Sequence, residues 1–136
     1  GAEEIDTVMN ISAFKSGDYE AAGRDIGTQA DICRGAGVVL KVIIETVFLS
    51  DEEKRLACSL AVKAGADYVK TSTGFSGGGA VPADVKLMKE AVAGSGVKIK
   101  AAGGIRTAGQ AEALLKAGAS RIGTSRGADL MRTDSR

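Results

Sequence analysis

The sequence predicts an α/β fold, with parallel strands and flanking helices alternating as part of a (β/α)8 barrel. Three observations carry that expectation. Short apolar runs alternate with longer amphipathic stretches along the chain. The runs are continuously apolar or β-branched, as strands of a parallel sheet covered on both faces should be. Finally, the segment Lys63–Gly74 recurs as Lys116–Gly127, identical at seven of twelve positions and about two βα units further on. A shared helix exit, Ala-Gly-Ala, explains the first matches but not the Thr-Ser-x-Gly that follows. Repetition at that period suits a barrel better than a doubly wound open sheet.

The first strand is expected over Glu4–Ile11. A helix from Asp18 to Arg34 starts after Ser16-Gly17 and stops at Gly35-Ala36-Gly37. Val38–Thr46 is a strand, and its Val38–Ile44 stretch, apolar but for Lys41, is the clearest case. Ser50 to Ala64 opens with a capping box, Glu53 standing three residues after Ser50, and ends at Gly65. Asp67–Thr71 is a strand; Pro82 to Ala93 is a helix with proline in its first turn. Strand Val97–Ala102, helix Thr107–Ala117 and strand Arg121–Thr124 complete the series. Such alternation implies βαβ units with right-handed crossovers. A whole barrel takes about 250 residues, so these 136 residues are expected to form one domain over 1–136, a partial barrel of about five strands.

Composition narrows the function. Apolar residues make up 44 %, charged residues 26 %, and the net charge is +1. That balance offers no basic face for nucleic acid or an anionic membrane. No apolar run approaches the roughly 20 residues of a spanning helix, and no leader-like segment opens the chain, so a cytoplasmic protein is expected. There is no histidine, and the cysteines are Cys33 and Cys58, each in a helical segment. Imidazole-dependent triads are therefore excluded, zinc is disfavoured, and nothing argues for a disulfide. Acid–base work near neutral pH falls to carboxylates, lysines or tyrosines.

Most lysines, including Lys54, Lys63, Lys86, Lys89 and Lys116, read as solvated helix faces. Three do not. Lys41 lies within an apolar strand, and Lys70 and Lys100 sit at or near strand ends. Buried lysine normally needs a partner, and the C-terminal strand ends of a barrel carry its reactive groups. Asp6, in the first strand, is the natural counter-charge, because a carboxylate there must be paired. The alternative is an internal ion-pair network without chemistry. Glycine-rich turns follow the strands at Gly74, at Gly103-Gly104 and at Gly123-Thr124-Ser125, where bare backbone N–H groups can hold an anion such as phosphate.

Glu4-Ile5-Asp6, Leu40-Lys41-Val42-Ile43-Ile44-Glu45-Thr46, Val69-Lys70-Thr71-Ser72-Thr73-Gly74-Phe75 and Lys100-Ala101-Ala102-Gly103-Gly104-Ile105-Arg106-Thr107 closely resemble deoxyribose-phosphate aldolase. Arg121-Ile122-Gly123-Thr124-Ser125 resembles that family's final strand. The resemblance runs from about residue 3 to residue 127. It implies a Schiff-base aldolase, without metal or organic cofactor, that cleaves 2-deoxyribose 5-phosphate reversibly to acetaldehyde and glyceraldehyde 3-phosphate. Lys70 would form the imine, Lys100 would be the neighbouring cation favouring a free amine, Asp6 would work with water in proton transfer, and Lys41 would hold that network. Gly74, Gly103, Gly104, Gly123 and Ser125 would bind the phosphate.

A free lysine titrates near about 10.4, so a neutral nucleophile at pH 7 needs about 4 kcal/mol of destabilisation of its ammonium. Desolvation and a second cation can supply it. Measured against the family, the chain opens at the fourth strand, and a short polar end, Ala128 to Arg136, stands where a final helix is expected. An open sheet with two free edges and an apolar inner face would self-associate, so a homo-oligomer is expected. A catalytically inactive, self-assembling fragment is the alternative to a working aldolase. A sugar-phosphate-binding module would explain the glycine turns but not the three strand lysines.

Overall fold

The computed structural model describes residues 1–132. All five expected apolar runs pair into one parallel sheet in chain order: β1 (Glu4–Val8), β2 (Val39–Ile43), β3 (Tyr68–Lys70), β4 (Lys98–Ala102) and β5 (Arg121–Gly123). Register places Asp6 opposite Lys41, Ile43 opposite Lys70, and Lys70 opposite Lys100. The crossovers are helical: α2 (Tyr19–Gly35) after the short α1 (Ile11–Lys15), then α3 (Asp51–Ala64), α4 (Pro82–Ala91) and α5 (Ala108–Ala117). A one-turn α6 (Gly127–Leu130) follows β5.

Local signals account for the helix starts. Ser50 and Glu53 form the expected capping box on α3, with both reciprocal bonds present at 3.2 and 2.8 Å. Thr107 and Gln110 make a second box on α5. Each box satisfies backbone donors that the first turn leaves free. Asp18 caps α2.

The sheet is curled. Neighbouring strands are about 4.8 Å apart, so a flat sheet would hold β1 and β4 roughly 14 Å from one another. Yet Asp6 on β1 accepts a 2.7 Å bond from Lys100 on β4, and Glu4 bonds Arg121 on β5. Only a half-barrel, with these side chains on its concave side, brings them together. On the convex side Leu40, Val42, Ile44, Val69, Ile99 and Ala101 are at most 1 % exposed and pack against Ile26, Ala61, Val85, Met88 and Leu114 of the helices. Each large side chain so buried stabilises the fold by about 1.5–3 kcal/mol.

Four expectations change. The first strand ends at Val8 rather than Ile11, because Asn10 caps α1 by accepting the Ala13 N–H at 3.0 Å. The second strand ends at Ile43, because Glu45 turns the chain into the left-handed region at φ 54°. Lys54 is no solvated lysine: it is buried and bonds Asp84 at 2.7 Å and Asp51 at 3.1 Å, tying α3 to α4. The concave face is not apolar either; it carries Glu4, Asp6, Lys41, Lys70, Lys100 and Arg121. The polar end expected from Ala128 begins inside α6, and its residues 133–136 lie outside the described residues.

Candidate active site

Period-two alternation puts Glu4 and Asp6 on one face of β1, and the same rule turns Lys41, Lys70 and Lys100 inward from their strands. Asp6 is the hub. Its Oδ2 accepts from Lys70 Nζ at 2.7 Å and from Lys100 Nζ at 2.7 Å, while its Oδ1 lies 3.3 Å from Lys41 Nζ. Lys41, only 3 % exposed, also reaches Glu4 at 2.7 Å. All four polar residues singled out from the sequence therefore belong to one network. Burial pushes the Asp6 carboxyl up, but the bonds and charges of Lys100 and Lys70 outweigh it and hold the group well below the usual carboxylate range. Lys41 and then Arg121 hold Glu4 below its ordinary value in the same way.

The amines of Lys70 and Lys100 share one oxygen atom. Both side chains are mostly shielded, 12 % and 14 % exposed, in a chain with no imidazole.

Above Lys70 opens a cleft of about 540 Å³ at the C-terminal ends of the strands. Lys70 lies at its base, and Gly74, Gly103, Gly104, Gly123 and Ser125, the residues expected to hold phosphate, all line it. Its shape depends on missing side chains. A Cβ on Gly79 would collide with the Gly103 carbonyl, which accepts the Ala80 N–H at 3.0 Å. The loop after β3 thus lies backbone to backbone on the loop after β4. Thr71 fastens the same two strand ends: its hydroxyl donates to the Ala102 carbonyl at 3.0 Å and accepts the Ala102 N–H at 3.1 Å.

The cleft also holds residues to which no role was given beforehand. Arg106 and Arg126 bring positive charge to its wall, and Phe75, 96 % exposed, stands at its rim. The arginines have a legible signal, since each lies within three residues of a glycine at a strand end. Thr71 and Glu45 had none, because their importance lies in partners about 30 residues away.

A second cleft, about 590 Å³, opens at the N-terminal ends of the strands beside Glu4, Tyr68, Lys98 and Arg121. Tyr68 there is flanked by Lys98 at 5.8 Å and Arg121 at 5.6 Å. The two openings are similar in size, but Lys70 and the glycine turns are at the other end. Cys33 and Cys58 are separate buried thiols; burial raises the Cys58 thiol to about 12, against a small opposing effect of Arg55, which leaves it unreactive. Among the described residues no cluster of acidic or cysteine side chains could hold a metal ion, and no helix is long and apolar enough to cross a membrane.

Parallel βα units curled about an ionisable inner face, with glycine loops at the strand C-termini, define part of a (β/α)-barrel of the aldolase type. The chain belongs to the DeoC/LacD family of aldolases, whose family model matches residues 1–132. It is 56 % identical over 133 residues to the deoxyribose-phosphate aldolase of Aciduliprofundum boonei, covering 98 % of this chain and 60 % of that protein. The structure superposes on a putative deoxyribose-phosphate aldolase from Coccidioides immitis with a TM-score of 0.91 at 40 % identity, covering 96 % of this chain and 51 % of that one. The deoxyribose phosphate aldolase of Aeropyrum pernix, described as tetrameric, gives a TM-score of 0.88 at 35 % identity, over 96 % and 54 % of the two chains. The chain thus spans somewhat more than half the length of the relatives it matches.

Proposed function

We propose that this chain carries the imine chemistry of a class I aldolase, cleaving 2-deoxyribose 5-phosphate reversibly to acetaldehyde and glyceraldehyde 3-phosphate. One observation carries the reading: two shielded lysines share a single carboxylate oxygen beneath a glycine-lined, arginine-flanked cleft. A structural ion-pair network needs no such cleft above it, and a plain phosphate pocket needs no paired amines.

In the cleavage direction the Lys70 amine adds to the aldehyde carbon of the open-chain sugar, and loss of water leaves a protonated imine. That iminium accepts the electron pair of the C2–C3 bond as the C3 hydroxyl gives up its proton, releasing glyceraldehyde 3-phosphate. The remaining enamine takes a proton at C2, and water hydrolyses the imine to acetaldehyde and free Lys70. Lys100 stands beside the Lys70 amine on the same Asp6 oxygen. Asp6, an anion at any working pH, orients both amines and the water that relays protons, and Lys41 fixes Asp6. Gly74, Gly103, Gly104, Gly123 and Ser125 offer N–H and hydroxyl donors to the phosphate, and Arg106 and Arg126 offer charge.

The chain acts in this reading as a single domain over 1–136, in the cytoplasm, where phosphorylated sugars are processed. It associates with itself through the free edge of β1, where Ile5 and Val8 are 42 % and 44 % exposed. A tetrameric relative supports association; the charged concave face argues against stacking two such faces directly.

Trapping tests the reading. Borohydride reduction in the presence of acetaldehyde is expected to leave an ethyl adduct on Lys70, found by peptide mass spectrometry and absent in Lys70→Ala. A folded wild-type chain that gives no adduct would establish the alternative, a catalytically inactive barrel fragment.

A further inference from the structure

Glu45 has no place in the chemistry above, yet its surroundings are unusual. Its side chain is buried, at 2 % exposure, and it is the only described non-glycine residue with positive φ, at 54°. Left-handed backbone is strained for a side chain with a Cβ and persists where surroundings over-determine it. Here the surroundings are the loop that follows Lys70. The Glu45 carboxylate accepts the Thr73 N–H at 3.2 and 3.3 Å, the Thr73 hydroxyl at 2.6 Å and the Ser76 hydroxyl at 3.1 Å. The Thr73 hydroxyl in turn accepts the Phe75 N–H at 3.1 Å. The described ion pairs include no lysine or arginine partner for this carboxylate.

A buried carboxylate is costly unless hydrogen-bonded, and this one is satisfied by backbone and hydroxyl donors of a single loop. The strained backbone of Glu45 is what aims the carboxylate at that loop: Ile44 and Thr46 on either side stay bonded to the carbonyls of Lys70 and Thr71 at 3.0 and 2.9 Å. The bonded span, Thr73 to Ser76, encloses Gly74 and Phe75, and Thr73, Gly74 and Phe75 all line the cleft above Lys70.

We infer that Glu45 is a positioning residue that sets the Thr73–Ser76 loop in the shape that receives the phosphate of the substrate. The inference rests on the proposed phosphate-binding role of the cleft. It makes phosphate recognition, more than imine formation, the step that depends on Glu45, since the carboxylate holds the loop and makes no bond to Lys70 or Lys100.

The test compares two readouts in the full chain: inorganic phosphate binding, by 31P NMR titration, and acetaldehyde trapping at Lys70. Glu45→Gln is expected to weaken phosphate binding about tenfold more than it lowers trapping, because one acceptor becomes a donor facing two hydroxyls. Ser76→Ala, on a loop and away from the apolar core, removes one bond without threatening the fold, and is expected to weaken phosphate binding about threefold. Glu45→Asp, which keeps the charge one methylene further back, should fall between wild type and Glu45→Gln.

Equal losses in both readouts for Glu45→Gln would mark Glu45 as merely structural and overturn the inference. So would unchanged phosphate binding in Ser76→Ala, or a wild-type chain that binds no phosphate. A wild-type chain that binds phosphate and shows the expected variant order but gives no adduct would instead overturn the aldolase reading and leave Glu45 in place.

Discussion

The convex and concave faces of the same five strands have opposite compositions. On the convex side Leu40, Val42, Val69 and Ile99 are almost wholly buried under the helices. On the concave side Glu4, Asp6, Lys41, Lys70, Lys100 and Arg121 bond one another across the curl. Alternation along each strand separates the two roles residue by residue: Val69 holds the sheet to its helices, and Lys70, the next residue, sits beneath the cleft. Stability and chemistry can therefore be disturbed independently, even at adjacent positions.

Four substitutions probe that separation. Lys70→Met, a volume-conserving exchange, should abolish acetaldehyde trapping while leaving thermal unfolding nearly unchanged, as read by calorimetry. Ile99→Ala, on the convex face of the strand that carries Lys100, should destabilise the chain by about 2–5 kcal/mol through the cavity it leaves, measured by urea denaturation. If Lys70→Met proved as destabilising as Ile99→Ala, the two faces would not be independent.

Asp84→Ala probes a charge within the helical layer. It leaves the buried Lys54 with only the exposed Asp51, and should cost about 1–2 kcal/mol, less than a fully buried pair because solvent and Asp51 compensate. The Lys54 ammonium is held above its ordinary value: burial lowers it, but the bonds from Asp84 and Asp51 prevail.

The smallest effect concerns acid stability. The folded Asp6 carboxyl titrates below its unfolded value, so its contribution is fully present above the ordinary carboxylate range. It is lost as pH falls from about 3.9 toward the depressed folded value. Asp6→Asn should therefore flatten the fall of the denaturation midpoint below about pH 4. An unchanged slope would mean that Lys70 and Lys100 are not bonded to this carboxylate in solution.

Much of this was legible in the sequence. Strand–helix alternation, the capping box of Ser50 and Glu53, and glycines at helix exits are local signals, and local physics reads them. The two faces were less legible. Lys41, Lys70 and Lys100 stood out because lysine in an apolar strand needs a partner, and Asp6 was the obvious candidate. The burial of Lys54 has no local signal, because its helix context is ordinary and its partner Asp84 is on a different helix. Uniformly apolar strands would give an apolar inner face, whereas side-chain alternation along these strands gathers the charges on one side.

The order of elements, the amines and carboxylate available for chemistry, and the glycine turns at the strand ends are all set by local sequence. Each follows from neighbours a few residues apart. That one oxygen of Asp6 serves both Lys70 and Lys100, 64 and 94 residues away, emerges only on folding. The same holds for Glu45, which leaves the strand in a left-handed turn to hold the loop after β3. Both depend on the curl of the sheet and the packing of one loop on another, and non-local packing of that kind has no counterpart in the spacing of residues along the chain.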